Sequence, residues 1–318
     1  MKKLLLVGSG QLGSRHFQSI MKEKIDLELT ILENNESSLI LTKKRLSEID
    51  SQIIPKKVKW VKDINEIENH YSFAIVSTSA KNRALLINNL SKKTSIDYWI
   101  IEKVLAQSTE ELEMIRLSTS SSKKVYINTS RRQMKWFHEL RSNFFKGKKL
   151  EVTKSGYLWG LACNAIHYID LIEWWSGEII SSVDDNSLNT QWIKSSRQDY
   201  FEVNGKLIIH FSKGSKLSLI SKSENIPNIL KIKTNNNTTW EIIEEEGIAR
   251  SSKNQSLNGV FEFQSNMTGP MISKILKTGE CNLPLLEKSI TQHKIFLEVM
   301  LQNWNKFIKK NDTKVPIT

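Results

Sequence analysis

Gly8, Gly10 and Gly13 follow the apolar run Leu4-Leu5-Leu6-Val7 with G-x-G-x-x-G spacing, and Glu33 stands twenty residues beyond the last of them. Gly8 permits a tight turn, Gly10 lets main chain approach a pyrophosphate, and Gly13 lets the next helix lie close to the sheet. Gln11 and Leu12 complete the turn, whose free N–H groups at a helix start face a phosphate. A carboxylate at Glu33 accepts hydrogen bonds from both hydroxyls of an adenosine ribose and repels a 2′-phosphate, so NAD is expected over NADP. His167 lies four residues after Cys163, which puts both on one helical face, and its imidazole exchanges a proton near neutral pH. Asp170, three positions on, shares that neighbourhood with Asn164. Lys103 follows the apolar Trp99-Ile100-Ile101, where an ammonium can bind a hydroxyl and stabilise negative charge developing on oxygen.

Each of these has an ordinary alternative. A lysine after a strand is commonly solvated, and a histidine near Trp174 and Trp175 is commonly a satisfied core residue. Arg131 and Arg132 either grip a hydroxyl-rich or phosphate-bearing ligand or open a helix as a surface pair. Lys43-Lys44-Arg45 reads as a solvated helix face. Too few ligands surround His167 for a metal site, and two cysteines, Cys163 and Cys281, support neither a disulfide framework nor a zinc site.

The elements that would position these groups alternate over the first 125 or so residues between short apolar runs and polar helical stretches, the pattern of a parallel sheet with crossover helices. Strands are expected over 4–7, 27–32, 58–61, 73–77, 98–101 and 125–127, with helices over 11–22, 37–49, 82–90 and 109–117. Past residue 128 the order changes to a helix over 134–145, a strand over 150–155, a helix over 165–175 and several strand-like runs between 188 and 263. Asn204-Gly205 and Asn235-Asn236-Asn237 look like hairpin turns. Apolar residues at 286, 290, 297, 301 and 304 predict a long amphipathic helix over 284–308. The fold class is therefore α/β plus α+β: a doubly wound Rossmann sheet over 1–127 and an α+β domain over 128–318 with a mostly antiparallel open sheet. The helix at 284–308 is a candidate to return to the first domain.

With 318 residues, 39% of them apolar, the chain can build a large core. The net charge of +12 is spread along the chain among acidic residues and has no nucleic-acid motif beside it, so it favours anionic small ligands over nucleic acid. The Met1-Lys2-Lys3 start superficially resembles a signal peptide, but its apolar run is four residues long and ends in glycine. No run is long enough to cross a bilayer, and a cytoplasmic setting is expected.

Three further segments, in order after the glycine turn, resemble the Gfo/Idh/MocA family of sugar and inositol oxidoreductases over nearly the whole chain. Ala74-Ile75-Val76-Ser77-Thr78-Ser79 is similar to the family's fourth strand and the loop that passes the nicotinamide. Ile101-Glu102-Lys103-Val104 resembles its Glu-Lys-Pro signature, with valine for proline. Leu161 to Asp170 resembles the substrate-domain helix that carries a catalytic histidine. The resemblance implies Lys103 and His167 as catalytic residues, with Thr78, Ser79, Glu102 and Lys103 joining Gly8, Gly10, Gln11, Leu12, Gly13 and Glu33 around the cofactor. It also implies Lys103, Arg131, Asn164, His167 and Asp170 around a carbohydrate substrate. Many members of that family carry aspartate four residues before the histidine, where this chain has Cys163, so either Asn164 or Asp170 supplies polar support for an imidazolium or His167 binds more than it catalyses. The expected activity is hydride transfer between NAD and a secondary alcohol of a sugar or nucleotide-activated sugar, in surface polysaccharide synthesis, by a homodimer or homotetramer. Two other readings stay open: a redox-neutral conversion in which NAD is recycled, and a non-catalytic protein that senses a dinucleotide or sugar.

Overall fold

The computed structural model describes residues 2–49 and 57–318 and divides into two compact units. The first comprises Met1–Leu105, Glu111–Gln133 and Glu262–Glu287; the second comprises Ala106–Glu110, Met134–Phe261 and Lys288–Thr318.

Unit one is built on six parallel strands: β1 (Lys2–Val7), β2 (Leu27–Leu32), β3 (Lys57–Val61), β4 (His70–Val76), β5 (Ser95–Glu102) and β6 (Lys124–Asn128). Their order, β3-β2-β1-β4-β5-β6, reverses direction between β1 and β4, which opens a crevice at the carboxyl ends of those strands. The crossovers contain α1 (Gly13–Lys22), α2 (Glu36–Ser47), α3 (Arg83–Lys93) and α4 (Thr109–Ser118). Strands buried on both faces read as continuous apolar runs, and Leu4, Leu6, Ile31, Phe73, Ile75 and Ile100 form the core with Phe17 and Ile20 of α1.

Unit two holds α5 (Lys135–Leu140), which runs into a π-helical turn at Arg141–Phe145, and then β7 (Leu150–Tyr157) and α6 (Leu161–Ser176). Next come β8 (Ile180–Lys194), β9 (Phe201–Phe211), β10 (Lys216–Lys222), β11 (Ile229–Thr234), β12 (Thr239–Ile243), β13 (Ile248–Ser251) and β14 (Ser256–Asn258). The sheet order is β14-β13-β12-β11-β7-β10-β9-β8, antiparallel except for the β7–β10 pair. One face alternates inward residues such as Val203, Leu207 and Ile209, and α6 lies against β9 and β10. At the end of α6 the Phe145 ring packs on Trp175, 4.7 Å between centroids, and meets Trp240 edge to face.

Three expectations are corrected. The segment that returns to unit one is 262–287, carrying a helix α7 (Gln264–Thr278) that no sequence pattern announced. The last helix, α8 (Leu286–Ile308), lies in unit two from Lys288 onward instead of packing back. Asn204-Gly205 is not a turn: Gly205 sits inside β9 opposite Leu188 at a register shift, with φ of 114° and no room for a Cβ beside the Ser187 carbonyl. Asn235 to Asn237 does turn the chain between β11 and β12, closed by Thr234 N–H donating to Thr238.

Helix α7 docks on α1 because Gly269 brings the two backbones together: a Cβ there would lie 2.4 Å from the Ser19 carbonyl, and its N–H donates to Ser19 Oγ at 2.8 Å. Gly269→Val is expected to pry the helices apart and destabilise the protein by about 1–3 kcal/mol, read from urea unfolding. Unchanged stability would mean that α7 does not depend on that close approach.

Candidate functional site

The glycine turn follows β1. Gly8 has φ of +81°, and its N–H donates to Leu32 of β2 at 3.0 Å. A Cβ on Gly13 would meet the Gly8 carbonyl at 2.1 Å, so only glycine lets α1 start this close to the strand. Gly10 is different: a Cβ there would have only Ser38 Oγ near it, at 3.7 Å, which leaves open space above the turn. Glu33 ends β2 and accepts hydrogen bonds from the N–H groups of Ser9 (2.7 Å) and Asn35 (2.8 Å). Each carboxylate oxygen keeps lone pairs for a further donor.

Helix α2 braces the turn from behind. Thr42 Oγ1 donates to the Ser9 carbonyl at 2.6 Å, and Arg45 donates to the Gln11 carbonyl, to Ser14 Oγ and to Gln11 Oε1 at 2.7 Å. Arg45 is buried, and this desolvation lowers its pKa from the ordinary arginine value. The reading of Lys43-Lys44-Arg45 as a solvated face therefore holds for the two lysines and fails for Arg45, whose partners lie about 30 residues back in the chain.

Beside the turn opens a cavity of about 340 Å³ lined by Gly8, Glu33, Lys62, Ile64, Thr78 and Leu86, among others. Ile64 and Leu86 offer apolar surface to a flat base, and Glu33 offers acceptors to ribose hydroxyls. Among the described residues Lys62 is the one lining cation, and it is paired with Glu36 at 3.1 Å. The buried hydroxyls Ser9 Oγ and Thr78 Oγ1 have no hydrogen-bond partner among the described residues. Orphaned donors beside an uncovered turn fit the polar half of a dinucleotide. Gln11 and Ser79 are exposed and Leu12 is half-buried.

Lys103 follows β5 and is half-buried, and its peptide bond to Val104 is cis. Arg83, at the start of α3 and 1% exposed, holds this loop: its guanidinium donates to the carbonyls of Glu102 (2.6 Å), Val104, Leu105 (3.3 Å) and Thr78. Glu102 is 3% exposed, and its carboxylate binds His16 Nε2 of α1 at 2.9 Å and Asn128 Nδ2 of β6. His16 Nδ1 meets Thr268 Oγ1 of α7 at 2.8 Å. These partners correct the assignment of Glu102 to the cofactor: the side chain is enclosed and fixes the strand end that carries Lys103. Arg131 and Arg132 follow β6 in a short 3-10 turn and are both buried, which removes the surface-pair alternative.

In unit two, α6 begins at Gly160, which has φ of 74°. Glu202 of β9 caps it, accepting from the N–H groups of Ala162 (2.9 Å) and Cys163 (3.2 Å). Asn164 Nδ2 donates to the Trp159 carbonyl at 2.9 Å, and the Cys163 thiol donates to the Thr318 carbonyl. His167, half-buried, follows Cys163 by one turn. Asp170 does not join this group: it is 1% exposed and accepts from Gln292 of α8 at 3.1 Å, so its carboxylate is committed to the interior.

The predicted residues thus fall into two sets. Gly8 to Gly13, Glu33, Thr78, Ser79, Lys103 and Arg131 gather at the carboxyl ends of the parallel strands, and Asn164 and His167 share the first turns of α6. Sequence reasoning missed His16, Arg45 and Arg83. His16 alone had a signal, since residues 13, 16, 17 and 20 share one helical face. Among the described residues no cluster of three His, Cys, Asp or Glu side chains is placed to hold a metal ion, and no helix is long and apolar enough to cross a membrane.

No protein-family model matches the chain, and no curated protein matches it in sequence. Solved structures do resemble it. Biliverdin reductase from Synechocystis, in complex with biliverdin and NADP+, is 12% identical over 95% of this chain and 98% of its own, with a TM-score of 0.72. UDP-N-acetylglucosamine 3-dehydrogenase from Acidithiobacillus ferrooxidans is 11% identical over 98% and 99%, with a TM-score of 0.69. Myo-inositol dehydrogenase from Lactobacillus casei, in complex with NAD(H) and myo-inositol, is 12% identical over 98% and 96%, with a TM-score of 0.67. The chain has the fold of these enzymes along nearly its whole length, as the sequence resemblance implied.

Replacing Arg83 by methionine leaves buried carbonyls at both ends of the Lys103 loop without a donor. Arg83→Met is expected to cost about 3–5 kcal/mol in urea unfolding, several times the effect of an ordinary surface arginine. A loss below about 1 kcal/mol would show that the loop does not rely on it.

Proposed function

We propose that the chain is an NAD-dependent oxidoreductase acting on a secondary alcohol of a carbohydrate, with a nucleotide-activated sugar of surface polysaccharide synthesis as the expected substrate. The observation that carries this reading is the pairing, at one edge of one sheet, of an uncovered glycine turn with a lysine that Arg83 and Glu102 lock at the end of β5. Dehydrogenation needs those two parts together, a place for the phosphates and a polar group that holds the reacting oxygen. The oxidoreductases that share the fold, among them enzymes named for myo-inositol and UDP-N-acetylglucosamine, support the same activity.

Bound nicotinamide supplies the hydride acceptor or donor. The turn from Gly8 to Gly13 holds the pyrophosphate through its amides, and Glu33 holds the adenosine ribose. Lys103 donates a hydrogen bond to the substrate oxygen and stabilises the negative charge that grows there. His167 takes the hydroxyl proton in oxidation and returns it in reduction. Arg131 in unit one and Asn164 in unit two are each proposed to offer a polar group to the substrate. Asp170 is left out, because its carboxylate is spent on Gln292. Glu33 favours NAD, and Lys62 offers little to a 2′-phosphate while it is paired with Glu36. A cytoplasmic homo-oligomer remains the proposed working form.

The test is an NADH titration followed by energy transfer from the nine tryptophans, with NADPH run in parallel. Saturable binding that prefers NADH, lost in Gly10→Val while the protein stays folded, supports the reading; wild-type binding by that variant overturns the cofactor site. Myo-inositol and UDP-N-acetylglucosamine are the first substrates to screen. On whichever substrate turns over, Lys103→Met and His167→Ala are each expected to lower kcat by about 10²–10⁴, and His167→Ala to keep NADH affinity. Full activity in either variant removes that residue from the chemistry.

A further inference from the structure

Residues 315–318 make an unusual set of contacts for so short a segment. Val315 and Ile317 are 0% exposed, in a chain whose preceding residues 309–314 are all exposed. Val315 N–H donates to the Gln107 carbonyl at 3.0 Å, and Gln107 Nε2 donates to the Ile317 carbonyl at 3.0 Å, so one glutamine pins the segment from both sides. Phe201 N–H donates to the Pro316 carbonyl at 2.9 Å, and the next residue, Glu202, caps α6 through the amides of Ala162 and Cys163. The Cys163 thiol then donates to the Thr318 carbonyl. All these partners belong to unit two, and three of the hydrogen bonds, two to Glu202 and one from the Cys163 thiol, meet at the first turn of α6, one turn ahead of His167.

We propose that residues 315–318 form a strap that positions His167 by fixing the start of α6, and that the Cys163 thiol is its latch. The role assigned to His167 rests on the oxidoreductase reading; the strap itself does not. A thiol can donate to a carbonyl oxygen, whereas an ionised carboxylate has only acceptors. Aspartate at 163 would therefore face the Thr318 carbonyl oxygen with no hydrogen between them and push the strap away. Polar support for the helix start comes instead from Glu202, which reaches it from the neighbouring strand.

Hydrogen exchange of the full-length protein, in peptides covering 161–168 and 315–318, tests this. Val315→Ala/Ile317→Ala strips apolar contact from the strap without adding charge, and is expected to speed exchange in both peptides by at least about tenfold. Cys163→Asp is expected to do the same, and Cys163→Ser, which keeps a donor, to remain near wild type. Maleimide labelling gives a second measure: the strap variant should expose Cys163 to the reagent, while Cys281, whose thiol burial pushes up to about 12, stays silent as an internal control. For the positioning role, the imidazole carbon resonance of His167 is titrated with pH. Its midpoint should move in the double alanine variant and recover the wild-type value in Cys163→Ser. Unchanged exchange at 161–168 in both the double alanine and the Cys163→Asp proteins overturns the strap; an unmoved His167 titration overturns its positioning role. NADH binding, measured on each variant, reports on unit one separately, so failure of the oxidoreductase reading shows there and leaves the exchange result standing.

Discussion

A carboxylate buried at the end of a central strand is the constraint around which unit one is arranged. Moving an ion of that size out of water costs on the order of several kcal/mol even after the surroundings relax, so Glu102 persists only because His16 and Asn128 bind it. Each partner carries a requirement of its own. His16 lies on α1 three residues past the last glycine of the turn, so α1 must run close against β1, which Gly13 allows. Its other ring nitrogen needs Thr268, so α7 must return from far along the chain. Asn128 reaches Gln264 at 3.0 Å as well, closing the circuit between β6 and α7. The glycine turn, the lysine-bearing strand end and the late helix are thus satisfied together or not at all, the all-or-none behaviour expected of a buried polar network.

What could be read from the sequence follows how local each signal is. Leu4 to Val7, Phe73 to Ser77 and Tyr98 to Ile101 announce strands because both of their faces are buried, and the glycine turn with Glu33 declares itself because a phosphate site is built from contiguous backbone. Helix α7 was invisible for the opposite reason. Gly269 and Pro270 sit in its middle and argue against a helix locally, yet Gly269 is what lets two backbones touch. Asn204-Gly205 carries a strong hairpin signature, but β8 and β9 continue past it as one long ribbon whose bulge uses the glycine. Arg45 reads in the sequence as part of a solvated helix face, and nothing there singles out Arg83. Their carbonyl partners come from loops that only the folded topology brings near.

The basic composition acquires a partly structural meaning. Arg45, Arg83, Arg131, Arg132 and Lys154 are all buried; Arg45 and Arg83 hold backbone carbonyls, and Lys154 holds the amide oxygen of Asn228. Lys154 lies on the inward face of β7, with its ammonium 5.5 Å from the Tyr168 ring and 5.8 Å from the Trp159 ring.

Helix α6 is the element on which the proposed chemistry turns, and it is fixed at both ends by different means. Toward its carboxyl end, Glu173 accepts from Ile180 N–H at 2.7 Å, from Gln292 at 2.7 Å and from Lys288 at 3.1 Å, while Gln292 also holds Asp170. Two buried carboxylates one turn apart would repel each other, and an amide and an ammonium from α8 offset that repulsion. At the amino end the helix N–H groups are satisfied by a single carboxylate, Glu202, and the adjoining thiol by a carbonyl. His167 sits between these anchors, half-buried on a helix that has little freedom to turn. A group that must pass one proton to one oxygen gains from that rigidity, because a displacement of about 1 Å in such a site costs roughly two orders of magnitude in rate. On the proposed function, the interior bonds of Asp170 and Glu173 serve that rigidity by holding the helix that carries His167.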